Sequence, residues 1–79
     1  MRKVYELQGE LYASLESALA AASALLRSDA DCYSRATDTR IVSGEFAREG
    51  LRVCYRVRYD AEPEETVYEY EIVEREVHT

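Results

Sequence analysis

Apolar positions recur between residues 15 and 26 as Leu15, Ala18, Leu19, Ala22, Leu25 and Leu26. The spacing i, i+3, i+4, i+7, i+10, i+11 makes one stripe on a helix. It predicts a helix from Ser14 to about Ser28. Ser14 is placed to accept an orphan N–H of the first turn. Glu16 suits the positive end of the helix dipole, and Arg27, read as last-turn, suits the negative end. Ser28-Asp29-Ala30-Asp31 then closes the helix with weak formers. The far face, Ser17, Ala20, Ala21 and Ala24, is small enough for another chain to approach closely. It also fits a solvent-facing side made of good helix formers.

Elsewhere the period is two, the strand period. In residues 51–59, Leu51, Val53, Tyr55, Val57 and Tyr59 face one way and Arg52, Cys54, Arg56 and Arg58 the other. In residues 66–77, Tyr68, Tyr70 and Ile72 oppose Val67, Glu69, Glu71 and Val73. Residues 39–47 form a strand with Val42, Gly44 and Phe46 inward, and residues 2–8 a short first strand with Tyr5 and Leu7 inward. Arg48-Glu49-Gly50-Leu51 reads as a tight hairpin, because Gly50 accepts φ > 0. Pairing Arg48 with Leu51 sets Phe46 against Val53, Gly44 against Tyr55 and Val42 against Val57, so inward residues meet and Gly44 leaves room for a ring. The acidic connection at residues 60–65 fixes no register, but consistent faces bring Arg52, Arg56 or Arg58 near Glu69 or Glu71. Residues 30–38 read either as a loop or as the bent start of the strand that follows. The expected fold is α+β, one domain over residues 1–79. One helix packs on a four-stranded, mainly antiparallel sheet in the order β-α-β-β-β.

Composition narrows the function classes. The chain has 79 residues, 47% of them hydrophobic, which is too apolar for an acidic disordered tail. No apolar run approaches the roughly 20 residues of a membrane span. Glu6, Gln8 and Glu10 interrupt any apolar stretch behind the opening Arg2-Lys3 pair, so no signal peptide is expected. Two cysteines, Cys32 and Cys54, are too few for a secreted disulfide scaffold and favour a reduced, cytoplasmic setting. The net charge is −6, and it is unevenly placed. Residues 60–79 carry Asp60, Glu62, Glu64, Glu65, Glu69, Glu71, Glu74 and Glu76 against Arg75 alone, a net −7, while residues 1–59 sum to +1. That sign opposes direct binding to a nucleic-acid backbone.

Candidate chemistry is sparse. His78 lies next to the C-terminus and has no Ser and Asp at triad spacing. Neither cysteine has a CxxC or His-spaced companion, so no zinc site is expected. Asp29, Asp31 and Asp38 lack the glycine and terminal Glu of a calcium loop. The glycines do not form a phosphate loop. Cys54 sits among arginines that would lower its pKa and activate the thiol, or it is an ordinary half-covered small residue. No catalytic residue, metal ligand or cofactor is assigned. The eight acids from Asp60 to Glu76 are the candidate partner-binding residues, for a protein with a basic surface. The same charges also fit a solvated strand edge that resists aggregation.

Size, acidity and element order together make the chain similar in outline to small phage-encoded anti-CRISPR-type proteins. That resemblance implies a stoichiometric inhibitor occupying the nucleic-acid channel of a bacterial defence complex. The element order also resembles the cystatin-like fold, but Ile41-Val42-Ser43-Gly44 lacks the glutamine of the Gln-x-Val-x-Gly inhibitory hairpin. The expected function is a non-enzymatic protein-binding module. The alternative is a structural or regulatory homodimer joined through the helix or a strand edge. A ligand-binding module between helix and sheet would need a tyrosine-lined pocket there.

Overall fold

The computed structural model describes residues 2–78. In chain order these form β1 (Arg2–Leu7), β2 (Glu10–Tyr12), α1 (Leu15–Thr37), β3 (Ile41–Glu49), β4 (Arg52–Tyr59), β5 (Thr66–Glu71) and β6 (Val73–Val77). The α+β class holds. The single four-stranded sheet does not: there are two three-stranded antiparallel sheets, ordered β2-β1-β6 and β3-β4-β5.

Two local features make the difference. Gln8 and Gly9 both take positive φ, 50° and 84°, and turn the chain between Leu7 and Glu10. Positive φ at both central residues defines the hairpin turn that matches strand twist, so residues 10–12 become a strand. The predicted strand at 66–77 is interrupted at Ile72. Before it, Glu71 pairs with Arg52 of β4; after it, Val73 pairs with Glu6 of β1. Ile72 itself donates its N–H to the Leu51 carbonyl at 2.8 Å and buries its side chain. One extended segment thus serves both sheets.

The helix begins as the sequence predicts. Ser14 has extended φ/ψ, and its Oγ accepts from the Ser17 N–H at 3.1 Å. It does not stop at Ser28. It runs 23 residues to Thr37, so residues 30–37 are helix, not loop or strand. Tertiary contacts override the weak formers. Tyr70 donates to Asp29, Tyr59 donates to the Ala30 carbonyl, and Tyr33 packs its ring 4.8 Å from that of Tyr59. The true end is Asp38, in the left-handed region at φ 54°, ψ 43°, with the Thr39 N–H returning to the Ser34 carbonyl. The last-turn cation is Arg35, while Arg27 lies mid-helix with its guanidinium 5.3 Å from the Phe46 ring centre.

The core lies between α1 and the two sheets. Ala18, Ala22, Leu26 and Ala30 meet Leu7, Val53, Tyr55, Val57, Tyr59 and Ile72. Small residues at i, i+4 and i+12, Ala18, Ala22 and Ala30, bring the backbone close enough for tyrosine rings to fill the layer. Leu15 and Leu19 are half-buried and Leu25 is 36% exposed, so the stripe is centred a little away from these leucines.

The hairpin register is displaced by two residues from the expected one. Glu49 pairs with Arg52 and Phe46 with Tyr55, around a Gly50-Leu51 turn with Gly50 at φ 61°. A shift of two preserves every face, so alternation does not choose between the registers. The chosen one stacks Phe46 on Tyr55 at 4.2 Å and sets Glu45 and Glu49 opposite Arg56 and Arg52. Gly44 does make room for Tyr55, but diagonally. It pairs with Val57, and a Cβ there would lie 2.8 Å from the Tyr55 Cζ. Val42 and Phe46 are not core residues, with 49% and 37% of their surface exposed. The register shifts between Ile41 and Ser43, and Ile41, half-buried, pairs with Tyr59 in place of Val42.

Candidate functional site

The acidic segment follows one path, β4–β5 loop then β5 then β6, but its side chains do not share one face. Glu69 and Glu71 stand opposite Cys54 and Arg52 on the outer face of the β3-β4-β5 sheet. Glu74 and Glu76 stand opposite Tyr5 and Lys3 in the other sheet. Most of these acids have an intramolecular partner. Asp60 accepts the Arg40 N–H at 3.1 Å and Glu62 accepts the Tyr33 hydroxyl at 2.6 Å. Glu65 pairs with Arg56 at 2.9 Å, Glu69 with Arg52 at 3.5 Å and Glu74 with Lys3 at 2.8 Å. Glu71 lies opposite Arg52 in the register. Among the described residues, Glu64, Glu71 and Glu76 make no hydrogen bond or ion pair, and Glu76 lies opposite Lys3 in the register.

These ion pairs are half exposed, and pairs of that kind contribute from nothing to about 1 kcal/mol. Lys3 and Arg56 have their pKa values raised by the hydrogen bonds and charges of Glu74 and Glu65. The pairs place charge without locking it. The outer sheet face reads glutamate, arginine, glutamate from β3 through β4 to β5, as Glu49, Arg52, Glu71. A face of alternating sign is nearly neutral at a distance, whereas the loop holding Glu64 and the end holding Glu76 stay acidic.

Cys54 does not become an activated thiol. Burial is the larger cause raising its pKa, and the charge of Glu69 and its contact to the sulfur at 3.7 Å add to this. Arg52 lowers it by less. The sequence shows the arginines on that strand but not the glutamate opposite. Cys32 is exposed on the helix. Among the described residues no group of His, Cys, Asp and Glu could hold a metal ion, and no helix is long and apolar enough to cross a membrane.

A tyrosine layer replaces the tyrosine-lined pocket considered from sequence. Tyr59 donates to the Ala30 carbonyl at 3.2 Å and lies 2.8 Å from the Tyr68 hydroxyl. A phenol has one proton, so Tyr68 donates to Tyr59. Tyr70 donates to Asp29 at 2.5 Å. The space between helix and sheet is therefore filled, and among the described residues its fully buried polar side-chain atoms are satisfied. What remains is an open notch of about 460 Å³ beside the helix, between Leu7 and Tyr12 on one side and Ala21, Ala24 and Leu25 on the other. Sequence reasoning missed it because β2 is one of its walls.

The tyrosines give a pH prediction. Burial raises the pKa of Tyr59, with Tyr68 adding to it; the hydrogen bond to Asp29 raises Tyr70, and that to Glu62 raises Tyr33. A raised folded pKa means a stability contribution present below the unfolded value of about 10 and lost as pH climbs past it. The folded chain is expected to lose stability above that pH, with part of its phenolate absorbance delayed beyond that of free tyrosine. Tyr59→Phe should remove the most delayed part and cost about 1 kcal/mol. Full phenolate development at ordinary tyrosine pH, with no loss of urea midpoint, would contradict the layer described.

Comparison with protein families, curated proteins and solved structures gives no match.

Proposed function

We propose that this chain is a non-enzymatic protein-binding module whose acidic segment, Asp60 to Glu76, engages a basic protein surface. The observation that carries the reading is the charge layout. Residues 60–79 hold a net −7 against +1 for the remainder, and the eight acids run from the β4–β5 loop along β5 and β6 of a molecule 51 × 22 × 14 Å in extent. Complementary charge of this kind speeds encounter and selects partners. Two other features support a role without chemistry. The hydroxyls of Tyr59, Tyr68 and Tyr70 are committed to internal hydrogen bonds, and burial beside Glu69 pushes the Cys54 thiol up. The outline resemblance to anti-CRISPR-type proteins favours, as the basic surface, the nucleic-acid groove of a defence complex.

The free charges define the test. Reversing Glu69, Glu74 or Glu76 would also set a new cation beside Arg52 or Lys3, so Glu64→Lys combined with the neutralising Glu76→Gln is the cleaner change. Surface substitutions of this type shift stability by about 0.5 kcal/mol or less. Proteins captured from a bacterial lysate by the wild-type chain should elute as salt rises, and the doubly substituted chain should fail to retain them. Retention that is unchanged by the substitutions and by salt would reject the acidic surface as the binding element.

A further inference from the structure

Strand β3 is the longest strand, at 9 residues, and it is an edge of its sheet. Every residue of it after Ile41 is exposed. Proteins protect such edges with short length, charged side chains (lysine above all), proline, a bulge or a covering element. The other edge formed by a hairpin, β2, is protected by being 3 residues long. In β3 the irregularity is confined to residues 41–43, and the regular stretch from Ser43 to Glu49 contains neither lysine nor proline; its charges are Glu45, Arg48 and Glu49, of mixed sign, so they exclude some pairing registers and not others. The radius of gyration, 14.8 Å, exceeds the roughly 12 Å typical of a compact chain of this length.

We propose that β3 pairs with β3 of a second copy of this chain, antiparallel, about a two-fold axis at Phe46. The register follows from charge. A two-fold axis perpendicular to the sheet keeps each face with its own kind, so a residue must face itself at the axis. Centring on Glu45 opposes it to its own copy, and centring on Arg48 does the same. Centring on Ala47 opposes Glu45 to Glu49. Centring on Gly44 leaves most of the regular stretch unpaired. Centring on Phe46 pairs all of Ser43–Glu49, with Glu45 facing Ala47, Ser43 facing Glu49 and Gly44 facing Arg48, and no like charges directly opposed.

The side chains agree with that register. Phe46 is 37% exposed on the helix-side face, stacked on Tyr55, and would cover its own copy. Gly44 has no side chain to obstruct the facing Arg48, and Tyr55 hangs its hydroxyl over Gly44, where it makes no hydrogen bond among the described residues. The facing guanidinium is thereby offered an acceptor. The pairing continues the sheet as β5-β4-β3-β3-β4-β5. It keeps the two acidic segments on the outer strands, each separated from the axis by β4. It does not depend on the acidic-surface reading, since the residues are different.

Sedimentation of the wild-type chain should show a reversible dimer between low and high micromolar concentration, and Phe46→Glu should weaken it at least about tenfold. A second arm does not depend on that variant folding. Directly opposed residues have Cα atoms about 4.5–5.5 Å apart, within disulfide reach. In a Cys32→Ser/Cys54→Ser background, Phe46→Cys should therefore oxidise to a covalent dimer far faster than Glu45→Cys. A wild-type chain that stays monomeric, including one whose edge is covered only on adding an extended peptide, overturns the proposal. So does a dimer that Phe46→Glu leaves intact, as one built on the helix would be. Equal cross-linking at the two positions overturns the register and the proposal with it.

Discussion

Leu26→Ala is expected to cost about 2–5 kcal/mol of stability, read as a lower urea midpoint with little change in slope. The size follows from position. Leu26 is fully buried and is the only large aliphatic side chain among the four helix residues in the core, the others being Ala18, Ala22 and Ala30. Those alanines hold the helix close to the sheet, so a cavity at Leu26 has no flexible neighbour on the helix to collapse into it. A chain of 79 residues has about 4–12 kcal/mol of stability in total, so the loss would be a large share of it. Leu25→Ala is the internal control. It has the same composition change one position away, on the exposed flank, and should cost a small part of that amount. Equal losses at the two positions would mean that the helix packs in a different rotation.

Ile72→Ala is expected to fall in the same range, about 2–5 kcal/mol, for a different reason. Ile72 is 1% exposed and occupies the point where one extended segment leaves β4 and joins β1. Its side chain lies in the one core shared by both sheets. Its truncation should loosen both sheets together. Amide exchange should accelerate in β1 and β4 alike, and unfolding should remain a single transition. Acceleration confined to one sheet would show that the two sheets are stable separately.

Parts of the fold were legible because they depend on spacing alone. The stripe from Leu15 to Leu26, the Ser14 cap and the alternation in β4 each encode an element locally. The faces of β4 and β5 were readable for the same reason, including the arrangement that brings arginines to glutamates. The helix end was not readable. Ser28-Asp29-Ala30-Asp31 has weak local preference, and what extends the helix through it is a set of tyrosines more than 25 residues away in sequence. The hairpin at Gln8-Gly9 hid for a related reason. Gly9 signals a turn, but Gln8 gives no sign that it adopts positive φ. Cys54 was read from its neighbours along the chain, whereas its protonation is set by burial and by Glu69 across the strand.

The candidate site divides in the same way. Its net charge and its location between Asp60 and Glu76 are properties of composition, and folding does not alter them. Which of those charges stay free is a property of pairing. Arg52, Arg56, Lys3 and the Arg40 amide reach their acids only once β4, β1 and the start of β3 are in place, and Glu64, Glu71 and Glu76 remain without a bonded partner among the described residues. Periodicity constrains what a residue faces, because that depends on bonds within a few positions. Register, element ends and charge neutralisation depend on atoms brought together from distant positions, and a two-residue slip that preserves every face is decided only by the packed rings of Phe46 and Tyr55 and the ions beside them.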